Sequence, residues 1–226
     1  HYLINGSTAG ILSAVMGCTK KGGKILMARN CHKSVYHAVF LNELRPVYIY
    51  PEFDETMELN MAVSPEKIER LLEEHKEVQA VVLTSPTYDG VLSDIERISE
   101  IVHQKKIPLI VDEAHGAHFG FHPYFPKNAN TKGADVVIHS LHKTLPALTQ
   151  TALIHLNGTR IDRRKIRNYL HIFQTSSPSY VLMASMDECL RMVAEQGDVL
   201  FETYVKNLES KRRELKKLKH IRLLET

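Results

Sequence analysis

The chain has 226 residues, of which 43% are apolar and 24% charged, and its formal net charge is +3. That size allows a full buried core, and the balance is that of an ordinary globular protein rather than a disordered or strongly basic one. No apolar run approaches a membrane span and no signal peptide opens the sequence. Basic residues cluster only over residues 206–222, where acidic residues interrupt them, so this stretch reads as a solvated helix face and neither nucleic acid nor membrane is an expected partner. Cys18, Cys31 and Cys189 form no metal-ligand spacing and leave an odd count, the pattern of reduced thiols in a cytoplasmic protein. The chain opens at His1 rather than at methionine, and is read as beginning inside a larger protein.

Strand-like and helix-like segments alternate, as in βα units that build a parallel sheet. A helix is predicted over residues 8–20, a strand over 24–28, a helix over 32–44 and a strand over 46–50. Ser64 and Pro65 supply a cap and a first helical position for a helix to about residue 75. A strand at 80–84 follows, and Ser93-Asp94 then caps a helix that ends near residue 105. The runs Ile107-Pro108-Leu109-Ile110-Val111 and Ala134-Asp135-Val136-Val137-Ile138 read as strands, as does Thr151-Ala152-Leu153-Ile154-His155. Beyond Arg160 the pattern is helical, with one exposed, charged helix over 195–219 that Gly197 interrupts.

Two polar runs follow apolar strands: Asp112-Glu113-Ala114-His115-Gly116-Ala117-His118, and Ser140-Leu141-His142-Lys143. Their carboxylate and amine are therefore expected at one end of one parallel sheet, where open α/β folds bind ligands. A lysine suited to covalent chemistry requires a carbonyl partner. Pyridoxal phosphate provides one, and an aspartate facing its ring nitrogen completes an electron sink. Asn5-Gly6-Ser7-Thr8-Ala9-Gly10 precedes a helix and suits an anion, although ordinary helix capping yields the same residues. A nucleotide-binding phosphate loop is excluded, because the glycine-bounded run Gly17 to Lys24 has no Ser or Thr after its lysine. Asn30-Cys31-His32-Lys33-Ser34 places an imidazole at the same sheet edge, and Ser85-Pro86-Thr87-Tyr88-Asp89-Gly90 is expected to add hydroxyls there. A competing reading makes Asp112, His115, His118 and His139 ligands of a divalent metal in a hydrolase.

Together these runs, with Thr175-Ser176-Ser177-Pro178-Ser179-Tyr180, resemble the bacterial ornithine/lysine/arginine decarboxylases of the aspartate-aminotransferase fold. The resemblance implies a three-layer α/β/α architecture with a mostly parallel seven-stranded sheet, the large domain of a pyridoxal-phosphate enzyme. It implies a cofactor-binding domain over residues 1–195, lacking an N-terminal segment, and a helical exit over 196–226 toward a further domain. By position, Lys143 would carry the cofactor as a Schiff base, Asp112 would face the ring nitrogen, and His32 would stack on the ring with His115 close by. Ser7, Thr8, Ser140 and His142 would bind the phosphate, and no metal is called for. The substrate would be a basic amino acid, and the assembly a homodimer or larger homo-oligomer with active sites at the interface, near Thr175-Ser176. An aminotransferase or lyase of the same fold, and a regulator that only binds cofactor or polyamine, remain the other readings.

Overall fold

The computed structural model describes residues 1–224. Its centre is a seven-stranded sheet in the order β1-β9-β8-β7-β6-β2-β3. In chain order the elements begin with β1 (Tyr2–Asn5), α1 (Ser7–Cys18), β2 (Lys24–Ala28), α2 (Lys33–Leu41) and β3 (Arg45–Ile49). A small hairpin of β4 (Phe53–Asp54) and β5 (Leu59–Asn60) leads to α3 (Pro65–Glu74), β6 (Val78–Thr84), α4 (Ile95–Gln104) and β7 (Leu109–Asp112). After a 3-10 turn at Ala129–Lys132 come β8 (Val136–Ser140), the short α5 (Leu141–Thr144), β9 (Thr151–Leu156), α6 (Arg163–Phe173) and α7 (Tyr180–Leu215).

The strands β3, β2, β6, β7 and β8 run parallel, and β9 lies antiparallel to both β8 and β1. β7 and β8 are buried at every position, which is why both read as continuous apolar runs rather than as alternating ones. Helices flank the sheet in the expected three layers, with α1 packed on α2 and α6 and α3 packed on α4. The core is aliphatic and continuous across the layers, from Ile11 and Val15 of α1 through Val82, Ile110 and Ile138 to Ile98 of α4.

Several boundaries differ from the sequence expectation. β1 is a seventh strand that its four residues did not announce. α2 is shorter than predicted: Asn42 ends it, and Glu43 (φ +52) turns the chain into β3. α7 begins at Tyr180, well before residue 195, and passes through Gly197 unbroken to Leu215. A helical glycine costs only about 1 kcal/mol, and the buried Met186, Cys189 and Val205 hold this helix against the body. The expected division between residues 195 and 196 falls inside this helix. The three cysteines are free, and no helix among the described residues is long and apolar enough to cross a membrane.

Candidate active site

The parallel register brings the two polar runs together. Thr84 pairs with Asp112, and Asp112 with Ile138, so the Asp112 carboxylate and the Ser140–Lys143 segment leave the sheet at one edge. Gly6 joins β1 to α1 at the same rim. Its φ of +81 is one that other residues resist, and its N–H donates to the Gln150 carbonyl at 2.7 Å. A cleft of about 230 Å³ forms there. Ser7, Thr8, His32 and Asp112 line it from one group of elements, and Ser140, His142 and Lys143 from the other.

Asp112 is 3% exposed. Its carboxylate accepts the Ala114 N–H at 3.2 Å, and among the described residues no second hydrogen-bond donor reaches it. A buried carboxylate so sparsely compensated resists ionisation: burial pushes it up to about 6, against the opposing pull of that N–H and of the Lys143 and His139 charges.

Lys143 Nζ lies 3.0 Å from His115 Nε2. Desolvation, then the Lys143 charge, pushes His115 down, so a neutral imidazole accepts from the amine. Tyr88 stands edge-on to that ring, with centroids 5.6 Å apart. His32 is the N-cap of α2, and the Ser34 N–H donates to its Nδ1 at 3.3 Å. The proton of the neutral ring therefore sits on Nε2, and desolvation followed by Lys143 pushes the group down.

At the other end of the cleft the Ser7 and Ser140 hydroxyls are 2.5 Å apart. No side chain caps the N-terminus of α1, so its leading N–H groups and its dipole are available to an anion. Nδ1–H of His142 donates to the Thr151 carbonyl at 3.0 Å, which fixes the ring on β9.

Other expectations are corrected. The Ser85 and Thr87 hydroxyls do not reach the cleft; they accept the Ser93 and Val91 N–H groups of their own loop at 3.0 and 3.1 Å. The metal reading loses its ligands. His139 is bound to Glu113 at 2.7 Å, the His118 ring packs on Phe119 and Phe125, and among the described residues no three His, Cys, Asp or Glu side chains converge on a metal-sized point. Conversely, Thr149 and Gln150, which are not among the site residues expected from sequence, line the cleft. Their signal was a polar triplet, Thr149-Gln150-Thr151, between the lysine run and a strand.

The chain matches, over residues 1–226, the family described as Orn/Lys/Arg decarboxylase, major domain. The chain belongs to the Orn/Lys/Arg decarboxylase family. Among its relatives is the uncharacterized protein YaaO of Bacillus subtilis (strain 168), 45% identical over 187 residues, covering 82% of this chain and 39% of that protein. An arginine decarboxylase of the same organism is 32% identical over 220 residues, covering 97% of this chain and 45% of that one. The solved constitutive lysine decarboxylase of Escherichia coli superposes with a TM-score of 0.80 at 25% identity, covering all of this chain and 33% of its own. The chain thus spans less than half the length of these family members.

Proposed function

We propose that the chain is the cofactor-bearing part of a pyridoxal-phosphate-dependent decarboxylase of a basic amino acid: lysine, arginine or ornithine. The observation that carries this reading is Asp112, a buried and under-compensated carboxylate in the same cleft as a lysine amine and an uncapped helix N-terminus. The groups present fit the cofactor: an amine for its aldehyde, a carboxylate for its ring nitrogen, and hydroxyls with helix N–H groups for its phosphate. Arginine and lysine decarboxylases among the relatives support a basic substrate.

Bound in this cleft, pyridoxal phosphate supplies a conjugated sink for the electron pair released when an α-carboxylate leaves as carbon dioxide. Lys143 would provide the amine that holds the cofactor's aldehyde carbon. His115, neutral and 3.0 Å from that amine, accepts a proton from it and returns one. Asp112 would face the ring nitrogen, where its charge would favour a proton on that nitrogen and the proton would relieve the cost of burying the carboxylate. His32, fixed by Ser34, offers a flat wall. Ser7, Thr8, Ser140 and the α1 N-terminus would anchor the phosphate, with His142 beside them. A homodimer whose interface borders the cleft belongs to the same reading. Its support is the apolar surface of Leu3, Tyr180 and Val181, next to a second cleft that shares Gln150 with the first.

The test is the visible spectrum of the intact protein before and after borohydride, with Lys143→Ala alongside. A yellow band that reduction fixes on Lys143, absent from the variant, is expected, together with carbon dioxide release from at least one of the three basic amino acids. A colourless protein that takes up no pyridoxal phosphate overturns the reading.

A further inference from the structure

A second carboxylate lies buried in the turn that follows Asp112. Glu113 is 3% exposed, and its two oxygens accept the Ala129 N–H at 3.0 and 3.1 Å. Its Oε2 is 2.7 Å from Nε2 of His139, a residue 6% exposed that directly precedes Ser140. Because a carboxylate only accepts, Nε2 of His139 carries a proton. The other His139 nitrogen is 3.1 Å from Nε2 of His155 on β9. Burial, then the His139 charge, pushes His155 down to about 4, so His155 is a neutral partner.

Glu113 does not line the cleft, and neither does His139. They nonetheless join the two strand ends that do. Asp112 and Ile138 are ladder partners, and the residues that follow them, Glu113 in the turn and His139 on β8, are bonded to each other through their side chains. We propose that the Glu113–His139 pair is a positioning clamp that sets the spacing between Asp112 and the Ser140–Lys143 segment. The inference rests on the functional reading above. Without the clamp, the Glu113 turn loses its side-chain tie to β8, which itself stays paired with β9 through Ser140, and a second buried carboxylate is left beside Asp112 with only one N–H for company. The His139 charge also acts on Asp112, favouring its ionised form. The charged and titratable groups around Asp112 are Lys143, His139 and the Cys31 thiol; those around His139 are Glu113, His155, His118 and Asp112.

The test reads cofactor affinity in the intact protein, and the pH at which the bound cofactor's visible band is lost on the acid side. Glu113→Gln keeps an oxygen for Ala129 but turns an amide toward His139, and is expected to weaken binding roughly tenfold. His139→Gln keeps a donor for Glu113 and removes an imidazole that favours the ionised form of Asp112, so Asp112 takes up its proton sooner as pH falls. The acid-side loss is then expected to begin at higher pH than in the unmodified protein. The double Gln variant restores an amide–amide bond. It is expected to recover affinity while keeping the displaced pH profile, a combination that general loosening of the fold does not produce. Single variants that match the unmodified protein in both readouts overturn the clamp and leave the functional reading standing. A colourless unmodified protein overturns both. Should the variants not fold, 15N-histidine spectra of the unmodified protein decide: His139 ring signals that move when pyridoxal phosphate is added support the clamp, and unmoved signals overturn it.

Discussion

Asp112 is ionised in the proposed chemistry, yet the protein alone resists its ionisation. Its folded value of about 6 lies above its ordinary 3.8, so between those limits the folded state holds the proton that the unfolded chain has released. Stability from this group is therefore full below pH 4 and falls as pH rises through 6; the shift amounts to a penalty on the order of 3 kcal/mol at neutral pH. Asp112→Asn is expected to make the cofactor-free protein more stable than the unmodified one at pH 7 and no more stable at pH 4. Urea unfolding of both proteins at the two pH values measures this. With pyridoxal phosphate present the order at pH 7 is expected to reverse, because a ring N–H then compensates the carboxylate and an amide does not. A stability difference that is the same at both pH values sinks the argument.

Two glycines in helices separate what patterning reveals from what only packing decides. Gly17 lies in α1 where a Cβ would stand 2.4 Å from Ile166 Cγ1 and 3.0 Å from its Cα on α6. The Cα cannot rotate away, so Gly17→Ala is expected to destabilise by roughly 1–3 kcal/mol, and to weaken cofactor binding by tilting the helix that presents its N-terminus to the cleft. Gly197 sits within α7, where a Cβ meets nothing nearer than 3.5 Å; there Gly197→Ala is expected to stabilise by up to about 1 kcal/mol. Denaturant midpoints of the two variants, moving in opposite directions, check this, and a shared direction refutes it. The same contrast explains what was legible beforehand. β6, β7 and β8 announced themselves because strands covered on both faces need unbroken apolar runs, and the groups at their ends followed. The reversal of β9 was not legible, since Thr151 to Leu156 reads the same in either direction. Neither was β1, four residues with one buried side chain. The Ser85 and Thr87 hydroxyls looked like cleft groups because sequence shows a hydroxyl at a strand end but not the loop N–H that takes it. Glu113 shows no signal of its own beside Asp112 for the converse reason: its partners, Ala129 and His139, are distant in sequence.

At the scale of the whole molecule, exposed apolar side chains are spread over the surface, and one group of them lies where the chain leaves the Thr175 to Ser179 loop. Tyr180 is 78% exposed, Val181 69% and Leu3 44%, and they sit beside a 270 Å³ cleft lined by the Thr175 to Ser179 loop, β1 and the start of α7. Isolated exposed apolar residues are ordinary, but a contiguous group beside a site marks an interaction surface. The proposed occupant is a second copy of the chain, because the patch continues through Gln150 into the proposed cofactor cleft and so places a partner where it can close that cleft. Val181→Asp puts a charge into such an interface, and is expected to weaken self-association by roughly tenfold or more while leaving the fold intact, since the side chain is exposed in the single chain. Sedimentation of the intact protein across a concentration series measures it. A protein that sediments as a monomer throughout, or a Val181→Asp variant that associates as the unmodified protein does, removes this face as the interface. If association is lost and the cofactor band weakens with it, the cleft depends on the neighbouring chain for its closure.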